Sequence, residues 1–255
     1  MFLYNRKSVW IAEYWFDENV QNQSVDVIRI IQRSNPLAGK GYQEFYTILV
    51  DLKQDKDVIF NSMKKGTRNE IRRAAEKDGS IYECCSTDDE TIDQFICYYN
   101  KFALKKRISK ISSWILKEYA KMEALDISRV RAVDGNILNW NVFLKYNERA
   151  RHLFGCSQFR ESADISFSQL AGRATRYFHW QNMLKFKGQG MSIYDLGGWY
   201  QGNKDIAKLS INKFKECFGG VIVKNYKQEF GITPKGKLFV ILLNVRNMLN
   251  ELIKF

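Results

Sequence analysis

Residues 129–157 read RVRAVDGNILNWNVFLKYNERARHLFGCS, and their punctuation decides the fold class. Three runs mixing β-branched and aromatic residues, Arg129–Val133, Ile137–Tyr146 and Arg151–Ser157, are joined by Asp134-Gly135-Asn136 and Asn147-Glu148-Arg149. The first connection is a strong hairpin signal, because glycine supplies the positive φ that a tight two-strand turn demands. The spacing predicts an antiparallel meander at the heart of the chain.

Outward from the meander, strands and helices alternate. Upstream, Val9–Phe16, Val25–Gln32 and Phe45–Leu52 read as strands. Asp55 opens an amphipathic helix carrying Val58, Ile59 and Met63, which Gly66 interrupts. Thr67 to Glu70 has the form of a capping box for a second helix, Asn69–Lys77. A strand Ile81–Cys85 follows, then a second capping box, Thr87 to Glu90, for a helix reaching Lys106, and a helix Ser113–Leu125.

Downstream come a helix over Phe167–Phe186, a strand Met191–Leu196 and a turn at Gly197-Gly198. A helix Ile206–Cys217, a strand Val221–Tyr226 and a last helix opened by Thr233-Pro234 complete the order. The apolar stripe of that last helix includes Leu242, Val245, Leu249 and Leu252. This order argues an α+β fold, with a small β-rich extension over 1–44 and one main domain over 45–255.

Composition narrows the partners. The chain has 255 residues, only 2 of them Pro, and no linker or low-complexity tract. Its longest apolar run, Leu238–Leu243, is far shorter than the roughly 20 residues that span a bilayer. The first residues lack a small-residue cleavage site, and five cysteines without a C-x-x-C pair suggest a reducing, cytoplasmic setting. With two histidines far apart in sequence, a structural zinc site is not expected. Forty Lys+Arg against 28 Asp+Glu leave +12, a surplus that favours tRNA, phosphorylated cofactors, nucleotide sugars or a membrane surface.

Four segments carry a resemblance: Met63–Lys77, Ala150–Ser157, Tyr194–Gly198 and Lys213–Gly220. In that order and spacing the chain, over roughly residues 45 to 230, resembles the FemAB-related branch of the GNAT acyltransferase superfamily. The resemblance implies a GNAT fold, a twisted mixed, largely antiparallel sheet flanked by helices, whose central strands splay apart to admit an acyl donor. It also implies acyl transfer to an amine. Relatives that build peptidoglycan bridges use aminoacyl-tRNA and carry two such domains; this chain has room for one. Other single-domain GNAT-type proteins use acyl-CoA, and some acylate nucleotide-linked amino sugars.

Candidate site residues follow. Gln169-Leu-Ala-Gly172-Arg173-Ala174 fits the Q/R-x-x-G-x-G/A pattern of CoA-binding GNAT enzymes, where small residues let helix-terminal amides approach a pyrophosphate. Arg173 and Arg176 would add charge-assisted contacts. Arg68 and Arg72 match the family's motif and, four apart on the basic helix Lys64–Lys77, share a face suited to a phosphate. Tyr194 and Asp195 end a strand before Gly197-Gly198; Asp195 is placed to hold the acceptor or take an amine proton, and Trp199 and Tyr200 to stack on a ring. Lys215 matches the lysine that lies against the reacting acyl group in the tRNA-dependent relatives, with Phe214 beside it. His152, on the meander's last strand, is a further candidate base, although a strand histidine is more often a packed residue.

The expectation is therefore an acyl-CoA-dependent N-acyltransferase acting on a nucleotide-linked amino sugar in cell-surface polysaccharide biosynthesis. The alternatives are aminoacyl-tRNA-dependent transfer to a peptidoglycan precursor, and a non-catalytic RNA- or membrane-surface-binding module.

Overall fold

Ile137–Tyr146 is a strand over its whole expected length, and Gly135, at φ 89°, makes the turn that leads into it. The computed structural model describes residues 1–21, 24–157 and 165–252. In chain order the strands and helices begin β1 Phe2–Arg6, β2 Val9–Trp15, β3 Val27–Arg33, β4 Gln43–Asp51, α1 Lys56–Ser62, α2 Lys65–Glu76 and β5 Ile81–Cys85. They continue α3 Asp89–Lys106, α4 Ser113–Lys121, β6 Leu125–Arg131, β7 Ile137–Tyr146, β8 Arg149–Ser157 and α5 Ile165–Gly188. Last come β9 Ile193–Gly198, α6 Ile206–Glu216, β10 Val221–Gly231 and α7 Pro234–Leu252. The class is α+β with a mostly antiparallel set of strands.

The chain forms two compact units, Met1–Thr47 together with Val223–Phe255, and Ile48–Ile222. This differs from the expected division at 44/45. The ladder of β10 with β3, from Tyr226↔Arg33 to Gly231↔Val27, groups the C-terminal segment with the N-terminal strands.

In the first unit the strand order is β1-β2-β3-β10, with β2 and β3 parallel. Ala12, Tyr14, Ile28 and Ile30 form its core. Glu13, between Ala12 and Tyr14 on β2, is buried on the opposite face, so its charge needs partners: Tyr4 Oη (2.7 Å) and Trp15 Nε1 (2.6 Å) donate to it, and Arg29 lies 3.4 Å away. β1 was not foreseen; its five residues bury only Phe2 and Tyr4, too short an alternation to stand out.

The second unit orders its strands β4-β9-β8-β7-β6-β5; the run from β6 to β8 is the expected antiparallel meander, with β6 at Leu125–Arg131 rather than 129–133, and β5 adds a fourth antiparallel strand to it. Successive side chains of β7 face opposite ways. Phe143 meets Phe178 and Phe186 of α5, whereas Trp140 meets Phe95 and Tyr98 of α3. Each such ring buried contributes about 1.5–3 kcal/mol. The two ends of this unit lie side by side: a Cβ on Gly220 would stand 2.8 Å from both Ile48 Cγ1 and the Leu49 carbonyl.

Two helix starts differ from the expected caps. α2 begins at Lys65, with Lys64 as its N-cap, so Thr67 is a buried residue inside the helix rather than a cap. α3 is capped by Asp88, whose Oδ1 accepts from Thr91 N at 2.7 Å, because the carboxylate reaches the exposed third amide directly. Among the described residues, no helix is long and apolar enough to cross a membrane, and no group of three or more His, Cys, Asp or Glu is placed to hold a metal.

Candidate active site

β8 and β9 run parallel, and their ladder has three rungs: Arg149↔Ile193, Ala150↔Tyr194 and Arg151↔Asp195. Beyond them β8 continues to Ser157 on its other neighbour, β7, while β9 continues to Gly198. The register between β7 and β8 shifts at the same level, from Val142↔Phe154 to Phe143↔His152, leaving Leu153 as an extra residue in β8. Two parallel strands that stop pairing leave a wedge whose walls carry backbone groups outside the ladder. The resemblance led to the expectation of strands that part at such a point; the ladder of this pair ends at Arg151↔Asp195.

Gly197 stands at the mouth of the wedge. Its φ is +80°, and a Cβ there would lie 3.1 Å from the His152 carbonyl and 3.9 Å from Lys215 Nζ. Glycine is required by both conformation and approach. The Lys215 Nζ donates to the Gly198 carbonyl at 2.6 Å, which fixes the ammonium against β9. Burial, assisted by Arg151 and opposed by Asp195, draws its pKa down to about 8. Lys215 is thus a cation poised to lose its proton near neutral pH.

Asp195 is fully buried, and its carboxylate is already engaged. Arg149 Nε and Nη2 both donate to Oδ2, at 3.0 and 2.6 Å, Arg151 Nε lies 4.0 Å away, and Gly197 N donates to Oδ1 at 2.8 Å. A carboxylate held by a guanidinium and its own turn is a clamp on the diverging strands. The sequence led to the expectation of a base or acceptor ligand here; in this structure both carboxylate oxygens already have partners within the protein.

The two histidines pack between sheet and helix. His152 Nε2 bonds the Asn141 side chain at 2.7 Å, and burial, with His179, Lys215 and Arg151 nearby, pushes its pKa well below the usual value. A side chain on Gly155 would overlap Asn141 Oδ1, so that glycine makes room for the bond. His179 Nδ1 bonds the hydroxyl of Tyr194 at 2.7 Å, and burial holds this histidine at about 3. Both are neutral at pH 7, and the side chains of His152 and Tyr194, expected as a base and a substrate contact, are engaged in these hydrogen bonds. What His152 offers the wedge is its backbone.

Other expected residues separate into groups. Phe214 stays beside Lys215; its ring meets Phe218 and His179, and Arg176 lies over it at 5.2 Å. Trp199 packs partly buried against the core. Tyr200 is fastened by Asn212, whose side chain bonds its N at 3.1 Å and its O at 2.7 Å, and its ring lies over Gly202 with Lys208 5.0 Å away. Arg68 donates to the Asn61 and Met63 carbonyls at 2.9 and 2.5 Å, capping the end of α1, and Arg72 lies over Phe60 at 5.1 Å. The two arginines do share one face of α2.

The Gln169–Ala174 pattern is the clearest correction. All six residues lie inside α5 beyond its first four described residues, so their amides are committed to the helix. Gly172 and Ala174 are buried, and Ala174 joins the core with Ile71 of α2, while Gln169 points to solvent. Arg173 binds Asp78 at 2.5 and 2.9 Å, and Arg176 pairs with Glu70 at 2.6 Å, tying α5 to α2. Small residues here serve close helix packing. Burial raises the Cys85 thiol to about 11, away from the thiolate a nucleophile needs. Arg149, Asn141 and Asn212 were not singled out, since nothing local marks residues whose partners lie 46, 11 and 12 positions away.

No protein-family profile matches the sequence, and no curated protein matches it closely enough to count. Solved structures do match. The chain is similar to FemX in its crystal structure, at 12% identity and a TM-score of 0.58, over 71% of this chain and 61% of FemX. It is also similar to the C-terminal domain (DUF2156) of a putative lysylphosphatidylglycerol synthetase from Agrobacterium fabrum, at 15% identity and a TM-score of 0.53, over 86% of this chain and 72% of that one. This chain thus spans about three-fifths of the FemX chain it matches. At such identities the likeness is one of fold alone: the strands and helices follow the course they take in FemX and in the DUF2156 domain.

Proposed function

We propose that the chain is an N-acyltransferase in which an amine attacks an activated acyl carbonyl held in the wedge between β8 and β9. The observation that carries this reading is the end of the β8/β9 ladder at Arg151↔Asp195, beside Lys215. Backbone groups of Arg151–Ser157 polarise the carbonyl, and the tetrahedral oxyanion meets the Lys215 ammonium. As the carbon–sulfur bond of a thioester breaks, Lys215 gives its proton to the leaving sulfur and regains one from the new, still protonated amide nitrogen. Asp195 and Arg149 hold the walls apart and act as positioning residues.

The favoured donor is acyl-CoA and the favoured acceptor a nucleotide-linked amino sugar, with Arg68 and Arg72 on α2 facing its diphosphate and the Trp199–Tyr200 segment its ring. Arg176, between Glu70 of α2 and Phe214 of α6, links the basic helix to the Lys215 neighbourhood. The sugar rests on analogy, because a fold does not choose an acceptor. A second reading, aminoacyl-tRNA as donor, is favoured by the exposed Lys64, Lys65, Arg72, Arg73 and Lys77 along α2 and by the net charge of +12.

Thermal unfolding with CoA or a short acyl-CoA, and separately with bulk tRNA, tests the donor. A ligand that binds the native state alone raises the midpoint by mass action. A CoA shift that persists at about 0.3 M salt, where screening is strong, supports the thioester reading. A tRNA shift that vanishes with salt, without a CoA shift, transfers the assignment to aminoacyl transfer. Neither shift, with no thioester turnover, leaves a binding module.

A further inference from the structure

Helix α7 leaves its most apolar side uncovered. Leu238, Ile241, Leu242, Val245, Met248 and Leu249 are each 48–66% exposed. At 3.6 residues per turn they fall in one stripe about 120° wide. This is the stripe from which the sequence predicted packing, and for Leu242, Val245 and Leu249 it faces outward; the side chain of Leu252 lies outside the described residues. The opposite side, with buried Gly236 and half-buried Phe239, Val240 and Leu243, rests on β2 and β3 of its own unit. The seating is tight, since a Cβ on Gly236 would overlap the Asp26 carbonyl.

Charge lines the margins of the stripe. On the helical wheel Lys237 falls at one edge and Arg246 at the other, and Pro234–Asn250 contains no acidic residue. Arg246 lies close enough to Arg6 of β1 for the two guanidinium charges to repel. Lys235, by contrast, is already neutralised by Asp26 at 2.9 Å. A contiguous apolar stripe of six large side chains exceeds the scattered exposure of ordinary surfaces.

We propose that α7 docks the protein onto an anionic lipid surface. The helix lies in the plane of the headgroups, its stripe enters the acyl boundary, and Lys237, Arg246 and Arg6 reach lipid phosphates from the margins. A second copy on the same stripe would bring these cations against their own counterparts, whereas anionic headgroups complement them. This assignment is independent of the donor and acceptor proposed above.

Vesicle flotation with the whole chain tests it, using phosphatidylcholine alone and phosphatidylcholine with about one-third phosphatidylglycerol. The expected result is at least about tenfold tighter binding to the anionic vesicles. Leu242→Asn with Leu249→Asn should remove at least about tenfold of that binding at an unchanged thermal midpoint, because both side chains are exposed. Arg246→Glu, which leaves the stripe intact, should weaken binding to the anionic vesicles alone. Equal binding by wild type and variants overturns the proposal, as does equal binding to the two lipid mixtures. So does a wild-type dimer that the double variant converts to a monomer without vesicle binding by either.

Discussion

Arg149 Nη2 lies 2.6 Å from Asp195 Oδ2, across the parallel pair β8/β9 where that pair begins to part. Asp195 is fully buried and Arg149 nearly so. The pair therefore works as a rivet at the base of the wedge: it fixes the last rung, and the strands diverge from there. Removing one member strands a charge in the core, which costs about 3–5 kcal/mol. Arg149→Met and Asp195→Ala should each lower stability by that order in urea unfolding. The double substitution Arg149→Met with Asp195→Leu should recover much of the loss. A purely catalytic Asp195 would instead give normal stability with lost turnover.

Lys215 predicts a pH signature. Its folded pKa of about 8 lies below the ordinary lysine value, so the ammonium that the reaction uses is present below pH 8 and is lost as pH rises through it. kcat should carry a descending limb near pH 8. Lys215→Arg, always charged, should retain partial activity without that limb, and Lys215→Ala should lose about 100-fold or more. The sign for stability is opposite. Between pH 8 and 10.5 the unfolded chain holds a proton that the folded chain has released, so stability relative to Lys215→Met should rise across that window.

Gly197→Ala puts a methyl group 3.1 Å from the His152 carbonyl at a φ of +80°. The strain amounts to about 1–3 kcal/mol. It also narrows the wedge at its mouth, so KM for the donor should rise beyond what the stability change explains in steady-state assays.

Gly155→Ala should break the His152–Asn141 hydrogen bond by overlap with Asn141 Oδ1, costing about 1–3 kcal/mol. Asn141→Ala in the same chain removes the nearer clashing group and leaves His152 Nε2, 2.7 Å from the new Cβ. Denaturant titration should show the pair of changes to be less than additive, as coupled neighbours are.

Arg173→Ala separates two readings of α5. If Arg173 serves the Asp78 ion pair, this variant and Asp78→Ala should lower the thermal midpoint alike and leave CoA affinity, measured by calorimetry, unchanged. A selective loss of CoA affinity in Arg173→Ala would restore the pyrophosphate role.

Elements with steady periodicity were legible in the sequence. Ile81–Cys85 and Ile137–Tyr146 hold their expected bounds because each is flanked by turn residues, Asp78-Gly79 before the first, Gly135-Asn136 and Asn147 around the second. Gly197 and Lys215 were legible by motif and stand at the wedge. What escaped was partnership. The position of Asp195 at the end of a strand was legible, but its ion pair was not, since its partner Arg149 lies 46 positions away and arrives only through the parallel pairing of β8 and β9. The Gln169–Ala174 pattern misled for a related reason: the spacing that lets a loop approach a phosphate equally lets two helices touch. Helix boundaries slipped where a lysine, Lys64, stood at an N-cap that a nearby threonine was better suited to fill.

Gly220 touching Leu49 has a meaning for the ancestry and engineering of this molecule. The polypeptide enters and leaves the body that holds the wedge through one doorway, so residues 48–222 form a cassette bounded by two neighbouring cut points, whereas the other body is stitched from both ends of the chain. Such a cassette can be excised, reclosed with new termini, or grafted into a different host by joining at a single place. The two boundaries fall inside β4 and β10, so a graft would carry the ends of both strands with it.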